Sequence, residues 1–133
     1  MNEPVLVVDD NAENKKLLAF LLVRRGYEVR TAESAKDALA ALLVFKPRVI
    51  LLDLQMPGTD GYTLARTLKS SPLWSRIPLI AVTAYAMKGD EQRALDAGFS
   101  RYITKPIDTR ALPSIIAALI EQHEDEVAPS EPP

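Results

Sequence analysis

The chain has few residue types with which to do chemistry. It contains no cysteine and a single histidine, His123. A thiol nucleophile, a thiolate zinc site and a disulfide scaffold are therefore excluded. One histidine beside an acidic terminus gives no basis for a histidine metal cluster or a Ser-His-Asp triad. Carboxylates, hydroxyls and amines remain, and several follow directly on apolar runs. Asp9 and Asp10 follow Val5–Val8, and Asp53 follows Val49–Leu52. Thr83 follows Leu79–Val82, and Lys105-Pro106 follow Arg101–Thr104.

Brought together, these residues have a coherent chemical meaning. Three crowded carboxylates repel, and at least one pKa rises unless a cation intervenes. A hard dication with oxygen ligands relieves that repulsion, and Mg²⁺ commonly takes a few carboxylates while keeping waters elsewhere. Neither histidine nor thiolate is present to favour zinc. Open metal positions can receive phosphoryl oxygens, Lys105 can neutralise another, and the Thr83 hydroxyl can hydrogen-bond a third. Phosphoryl transfer needs positioning and charge neutralisation above all, and a carboxylate can act as its nucleophile. Singly, each residue has an ordinary reading: a helix cap for Asp9-Asp10, a turn for Asp53, strand-end packing for Thr83, a solvated loop for Lys105. It is their shared location that gives the set its weight.

That location depends on the elements. Five short strands are read at Val5–Val8, Glu28–Ala32, Val49–Leu52, Leu79–Val82 and Arg101–Thr104. Four are rich in Val, Ile or Leu without strict alternation, the pattern of parallel strands covered on both faces. Between them the apolar spacing is helical. Ala12–Arg25 places Leu17, Leu18, Leu21 and Leu22 on one face and stops at Gly26. Ser34 and Asp37 resemble a capping box opening a helix that buries Ala35, Ala38, Leu39 and Leu42. Gly61–Ser70 buries Leu64, Ala65 and Leu68. Lys88–Ala97 carries Ala94 and Leu95 and stops at Gly98. Thr109–Glu121 carries Leu112, Ile115, Ile116, Leu119 and Ile120. Alternating strands and helices imply right-handed crossovers and a parallel α/β sheet. In such sheets ligands bind beyond the carboxyl ends of the strands, where all the chemical residues above fall.

Composition bounds the rest. The 133 residues suit one domain. Residues 1–122 form that domain, and 123–133 read as an acidic, Pro-containing tail expected to be disordered. The net charge of −2 is uneven: residues 121–133 hold five acids and no base, leaving 16 basic and 13 acidic residues in the body. That excess is small and scattered, so nucleic-acid binding is not expected. No apolar run reaches the roughly 18 residues of a membrane span, and the N-terminus does not read as a secretory signal. A cytoplasmic protein without a membrane partner is the expectation.

The chain resembles the receiver domains of two-component response regulators. The resemblance runs from about Val5 to Glu121 and rests on four motifs. They are Val5-Leu6-Val7-Val8-Asp9-Asp10-Asn11, Leu51-Leu52-Asp53-Leu54-Gln55-Met56-Pro57-Gly58-Thr59-Asp60-Gly61, Ala81-Val82-Thr83-Ala84 and Tyr102-Ile103-Thr104-Lys105-Pro106. It implies a flavodoxin-like (βα)5 fold with strand order 2-1-3-4-5. It also implies Asp53 as phosphoacceptor, Mg²⁺ held by Asp10 directly, Asp9 through water, Asp53, and the Gln55 backbone carbonyl. Thr83 and Lys105 then contact the phosphoryl group, Tyr102 is an aromatic switch that follows Thr83, and the bond before Pro106 is cis. Gln55 and Tyr85 depart from the commoner choices at positions that influence acyl-phosphate lifetime. Implied partners are a histidine kinase or histidine phosphotransfer protein, and a downstream protein docking on the fourth helix, fifth strand and fifth helix near Tyr85, Met87 and Arg101. The Ala81–Glu91 segment looks like single-domain regulators of the DivK type and hybrid-kinase receivers, and a stand-alone regulator is expected.

Three other readings compete with this one. A phosphatase with an aspartyl-phosphate intermediate commonly has a second Asp two residues on, where this chain has Gln55. A flavodoxin-like electron carrier needs a Thr/Ser/Gly-rich loop after the first strand, where this chain has Asp9-Asp10-Asn11. A constitutive binding module has no need of the complete acidic and basic set. Self-phosphorylation and dephosphorylation, without turnover of a separate substrate, is the activity expected.

Overall fold

The computed structural model describes residues 3–56, 60–84 and 86–127. Its elements alternate: β1 (Pro4–Val8), α1 (Ala12–Arg24), β2 (Glu28–Ala32), α2 (Ala35–Leu42), β3 (Val49–Asp53), α3 (Gly61–Lys69), β4 (Leu79–Thr83), α4 (Asp90–Asp96), β5 (Arg101–Thr104) and α5 (Leu112–Val127). All strand pairs are parallel and the order is β2-β1-β3-β4-β5. The fold is the flavodoxin-like α/β arrangement that the motifs implied.

Successive side chains of a strand point to opposite faces, and here both faces are buried. Leu6, Val8, Ile50, Leu52, Leu79 and Ala81 face one core, closed by α2, α3 and α4 through Ala38, Leu64, Leu68 and Ala94. Val5, Val7, Val49, Leu51, Ile80 and Val82 face the other, closed by α1 and α5 through Leu18, Leu22, Leu112 and Ile116. Two covered faces explain why β1, β3 and β4 read as continuous apolar runs.

The departures from the sequence reading are local. Leu17, on the apolar face of α1, is exposed, as is Leu95 on α4. The α1 stripe facing the core is the narrower pair Leu18 and Leu22. Helix α4 begins at Asp90, because Gly89 sits at φ 89° as its cap and Asp90 accepts a bond from the Met87 amide. Helix α5 begins at Leu112. The turn before it is capped by Asp108, which accepts from the Arg110 amide, and Pro113 lies in the first turn, where its missing N–H costs nothing. The same helix runs on to Val127; Glu and Gln are good helix formers, so acidic composition alone did not mark its end. The rest of the expected tail lies outside the described residues.

Candidate functional site

The sheet register brings the chemical residues together. Val7 pairs with Leu51 and Val8 with Leu52, so Asp9 and Asp53 leave adjacent strands at the same level and on the same side. Thr83 pairs with Thr104, and Lys105 follows at once. Asp9, Asp53 and Thr83 are the buried polar side chains among the described residues, while Asp10 is exposed. Carboxylate oxygens of Asp9, Asp10 and Asp53 all lie within 4.8 Å of one another. Lys105 Nζ lies 3.3 Å from Asp9 Oδ2 and 3.2 Å from Asp53 Oδ2.

Backbone and neighbouring groups fix the remaining oxygens. The Asn11 amide donates to Asp9 Oδ1 at 2.8 Å, while the Asn11 side chain caps α1 by accepting from the Asn14 amide. The Gln55 amide donates to Asp53 Oδ1 at 3.0 Å. The Lys105 amide donates to the Thr83 carbonyl at 2.7 Å, and the Lys105–Pro106 bond is cis. The Gln55 carboxamide reaches across the site: its Nε2 donates to Thr83 Oγ1, and its Oε1 accepts from the Ala84 amide at 3.1 Å.

The electrostatics follow from this packing. Burial raises the Asp53 pKa above the ordinary carboxylate range; the Gln55 amide opposes the rise, Asp9 adds to it, and Lys105 opposes it. Burial works against the Lys105 charge, but Asp53 and Asp9 together outweigh it and its pKa is raised. The two directions are consistent. The ammonium faces two carboxylates, whereas Asp53 faces one ammonium and a second carboxylate as well as burial.

The donor set fits a hard cation. It is all oxygen, carries three carboxylates and stands at an open sheet edge with Asp10 toward solvent. Asp9, Asp10 and Asp53 could hold a metal ion.

Tyr102 pairs with Ala81 across β4 and β5 and packs, partly buried, against the core beneath α3 and α4. Its hydroxyl is buried and has no hydrogen-bond partner among the described residues. Tyr85 lies outside the described residues, as do Pro57, Gly58 and Thr59 of the second motif.

Sequence reasoning missed three contributors. Asn14 Nδ2 approaches Asp9 Oδ2 at 3.5 Å, from one turn into α1. Gly61 lies so close to β3 that an added Cβ would stand 2.8 Å from the Asp53 carbonyl oxygen and 2.8 Å from Leu54 Cα. A glycine in the first turn of a helix is a poor helix former, and that was the available signal. The reach of the Gln55 side chain to Thr83 and Ala84 was the third; the resemblance gave that position an influence on acyl-phosphate lifetime but no contact.

Comparison with known proteins agrees with this geometry. The response regulator receiver domain family matches residues 5–117. The response regulator PleD of Caulobacter vibrioides is 44% identical over 108 residues, 81% of this chain and 24% of PleD. The polar-differentiation response regulator DivK of Brucella ovis is 41% identical over 107 residues, 80% of this chain and 87% of DivK. The chain therefore spans about a quarter of PleD and most of DivK. A CheY-like response regulator receiver domain protein from Methanospirillum hungatei superposes with a TM-score of 0.87 at 28% identity, covering 95% of this chain and 99% of that one. The chain belongs to the response regulator receiver domain family, and is the receiver domain of a two-component response regulator.

Proposed function

We propose that the domain accepts a phosphoryl group on Asp53 and that the modification alters a protein-docking surface. The observation that carries this reading is the placement of Lys105 between the Asp9 and Asp53 carboxylates at the carboxyl edge of the sheet. In the reaction an Asp53 carboxylate oxygen forms a bond to phosphorus. The bond from phosphorus to the donor's nitrogen or oxygen breaks, and its electron pair leaves with the donor. Lys105 stays charged and neutralises phosphoryl oxygen. The Thr83 hydroxyl and the Ala84 amide offer hydrogen bonds to the others. Asp9, Asp10, Asp53 and the Gln55 backbone carbonyl are the groups proposed to hold Mg²⁺, which when bound supplies charge neutralisation in the crowded site.

The donor class is a phosphohistidine of a kinase or phosphotransfer protein, since receiver domains of this family interact with histidine kinases and with downstream targets. Exposed Leu17 and Phe20 on α1 are suited to meet that donor: Leu17 and Lys105 line the same cavity of about 120 Å³, with Asn14, Leu18, Pro106 and Ile107. The output face is assigned to α4, β5 and α5, where Leu95 and Arg101 are exposed, as is Met87 in the loop that leads into α4. No helix among the described residues is long and apolar enough to cross a membrane, and a cytoplasmic location is proposed with the kinase partner. Gln55, an amide that cannot supply a proton as a second Asp would, supports self-modification rather than turnover of phosphate esters.

Acetyl phosphate with Mg²⁺, followed by intact mass, tests this reading. One base-labile phosphoryl adduct that needs Mg²⁺ is expected. Steady release of phosphate from unrelated esters would instead support the phosphatase reading.

A further inference from the structure

We propose that the Gln55 carboxamide is a removable stand-in for the phosphoryl group, holding Thr83 and Ala84 in the unmodified protein and competing with phosphorylation. The inference rests on Asp53 being the phosphoacceptor and adds a regulatory role for this chain's own side chain.

The geometry is specific. The Ala84 amide donates to Gln55 Oε1, which fixes the orientation of the carboxamide; Gln55 Nε2 then necessarily faces Thr83 Oγ1 and donates to it. These are the two groups that the proposed reaction offers to phosphoryl oxygens. Both are occupied by one side chain, anchored by its own backbone amide on Asp53 Oδ1.

The exclusive contact is the one at Ala84. A Thr hydroxyl can accept from Gln55 and donate elsewhere, but a backbone amide has a single proton to give. The Ala84 amide spends it on Gln55 Oε1, so it cannot serve a phosphoryl oxygen in the same arrangement. Contact of the Ala84 amide with the phosphoryl group requires Gln55 to withdraw, and the bond from Gln55 Nε2 to Thr83 is lost with it. Thr83 is buried whereas Gln55 is exposed, so the carboxamide can swing into solvent and remake its hydrogen bonds with water. A released latch costs little, but it is not free, because each hydrogen bond between protein groups has a net worth of roughly a fivefold factor in equilibrium.

The test compares the wild type with Gln55→Met, a side chain of similar length that cannot make these bonds, and with Gln55→Asn, which is too short to span both. Hydrogen exchange at the Ala84 amide, followed by NMR in the absence of phosphodonor, is expected to be at least fivefold faster in Gln55→Met. Beryllofluoride with Mg²⁺ serves as a phosphoryl mimic, and its affinity is expected to rise about fivefold or more in Gln55→Met. Unchanged exchange at Ala84, or equal or weaker beryllofluoride binding in Gln55→Met while the wild type binds it, would overturn the latch and leave Asp53 as acceptor. Failure of every protein to bind beryllofluoride would instead remove the phosphoacceptor reading and the latch with it.

Discussion

At Asp53, burial and the neighbouring Asp9 carboxylate act against the charge, while the Gln55 amide and Lys105 act for it. Burial is the largest of these and the pKa is raised. The native metal-free protein therefore holds this proton more tightly than the unfolded chain does. The stability that Asp53 contributes is full below its unfolded-chain pKa and is lost as pH rises through the raised native pKa. Removing the charge should relieve the metal-free protein. Asp53→Asn is expected to raise its melting temperature by about 3 °C at neutral pH, with Lys105 keeping Asp9 as partner; a clear fall in melting temperature would contradict the sign of this balance. Mg²⁺ competes with the same proton. Calorimetric titration should show Mg²⁺ affinity growing as pH rises through the raised Asp53 value, whereas an ordinary aspartate would already be fully ionised there.

At the scale of elements, the sheet and two helix starts hold the site in place. Gly61 opens α3 against the end of β3, where a methyl group would meet the Asp53 carbonyl oxygen and Leu54 at 2.8 Å. Gly61→Ala is expected to cost about 2 kcal/mol in urea unfolding and to slow acceptance of phosphate, because the collision is with the residue that carries it. Asp60 caps the same helix by accepting from the Thr63 amide at 2.8 Å, and that bond is the main cause of its lowered pKa. Asp60→Ala should cost about 1 kcal/mol by the same measurement, with that part of the stability disappearing as acid protonates the cap. On α1, Phe20→Ala is expected to slow transfer from a phosphohistidine protein while leaving acetyl phosphate labelling unchanged; equal loss with both donors would place Phe20 in folding rather than in docking. Much of this organisation was legible in the sequence. Strands β1, β3 and β4 were readable because both their faces are buried, whereas β2 and β5 are largely exposed; Asp9, Asp53, Thr83 and Lys105 could be placed because they sit at strand ends. Side-chain reach was not legible. Nothing in the spacing of Gln55 and Thr83 says that a carboxamide spans them, and helical periodicity could not tell exposed Leu17 from buried Leu18, since both border the same apolar stripe.

Over the whole molecule, one sheet separates two apolar cores, and the buried polar side chains among the described residues, Asp9, Asp53 and Thr83, gather at a single edge. Ile116 is fully buried between α5 and the sheet, so Ile116→Ala should lower unfolding free energy by about 3 kcal/mol without abolishing Mg²⁺ binding. This division lets the edge hold an unfavourable cluster of charge that a small core could not tolerate. The most direct measurement treats the protein with acetyl phosphate and Mg²⁺, reduces any acyl phosphate with borohydride and reads the peptides by tandem mass spectrometry. Conversion of Asp53 alone to homoserine is the predicted result. Homoserine at position 9 or 10, or at no aspartate while an adduct is present in the intact mass, would contradict the assignment of Asp53 as the acceptor.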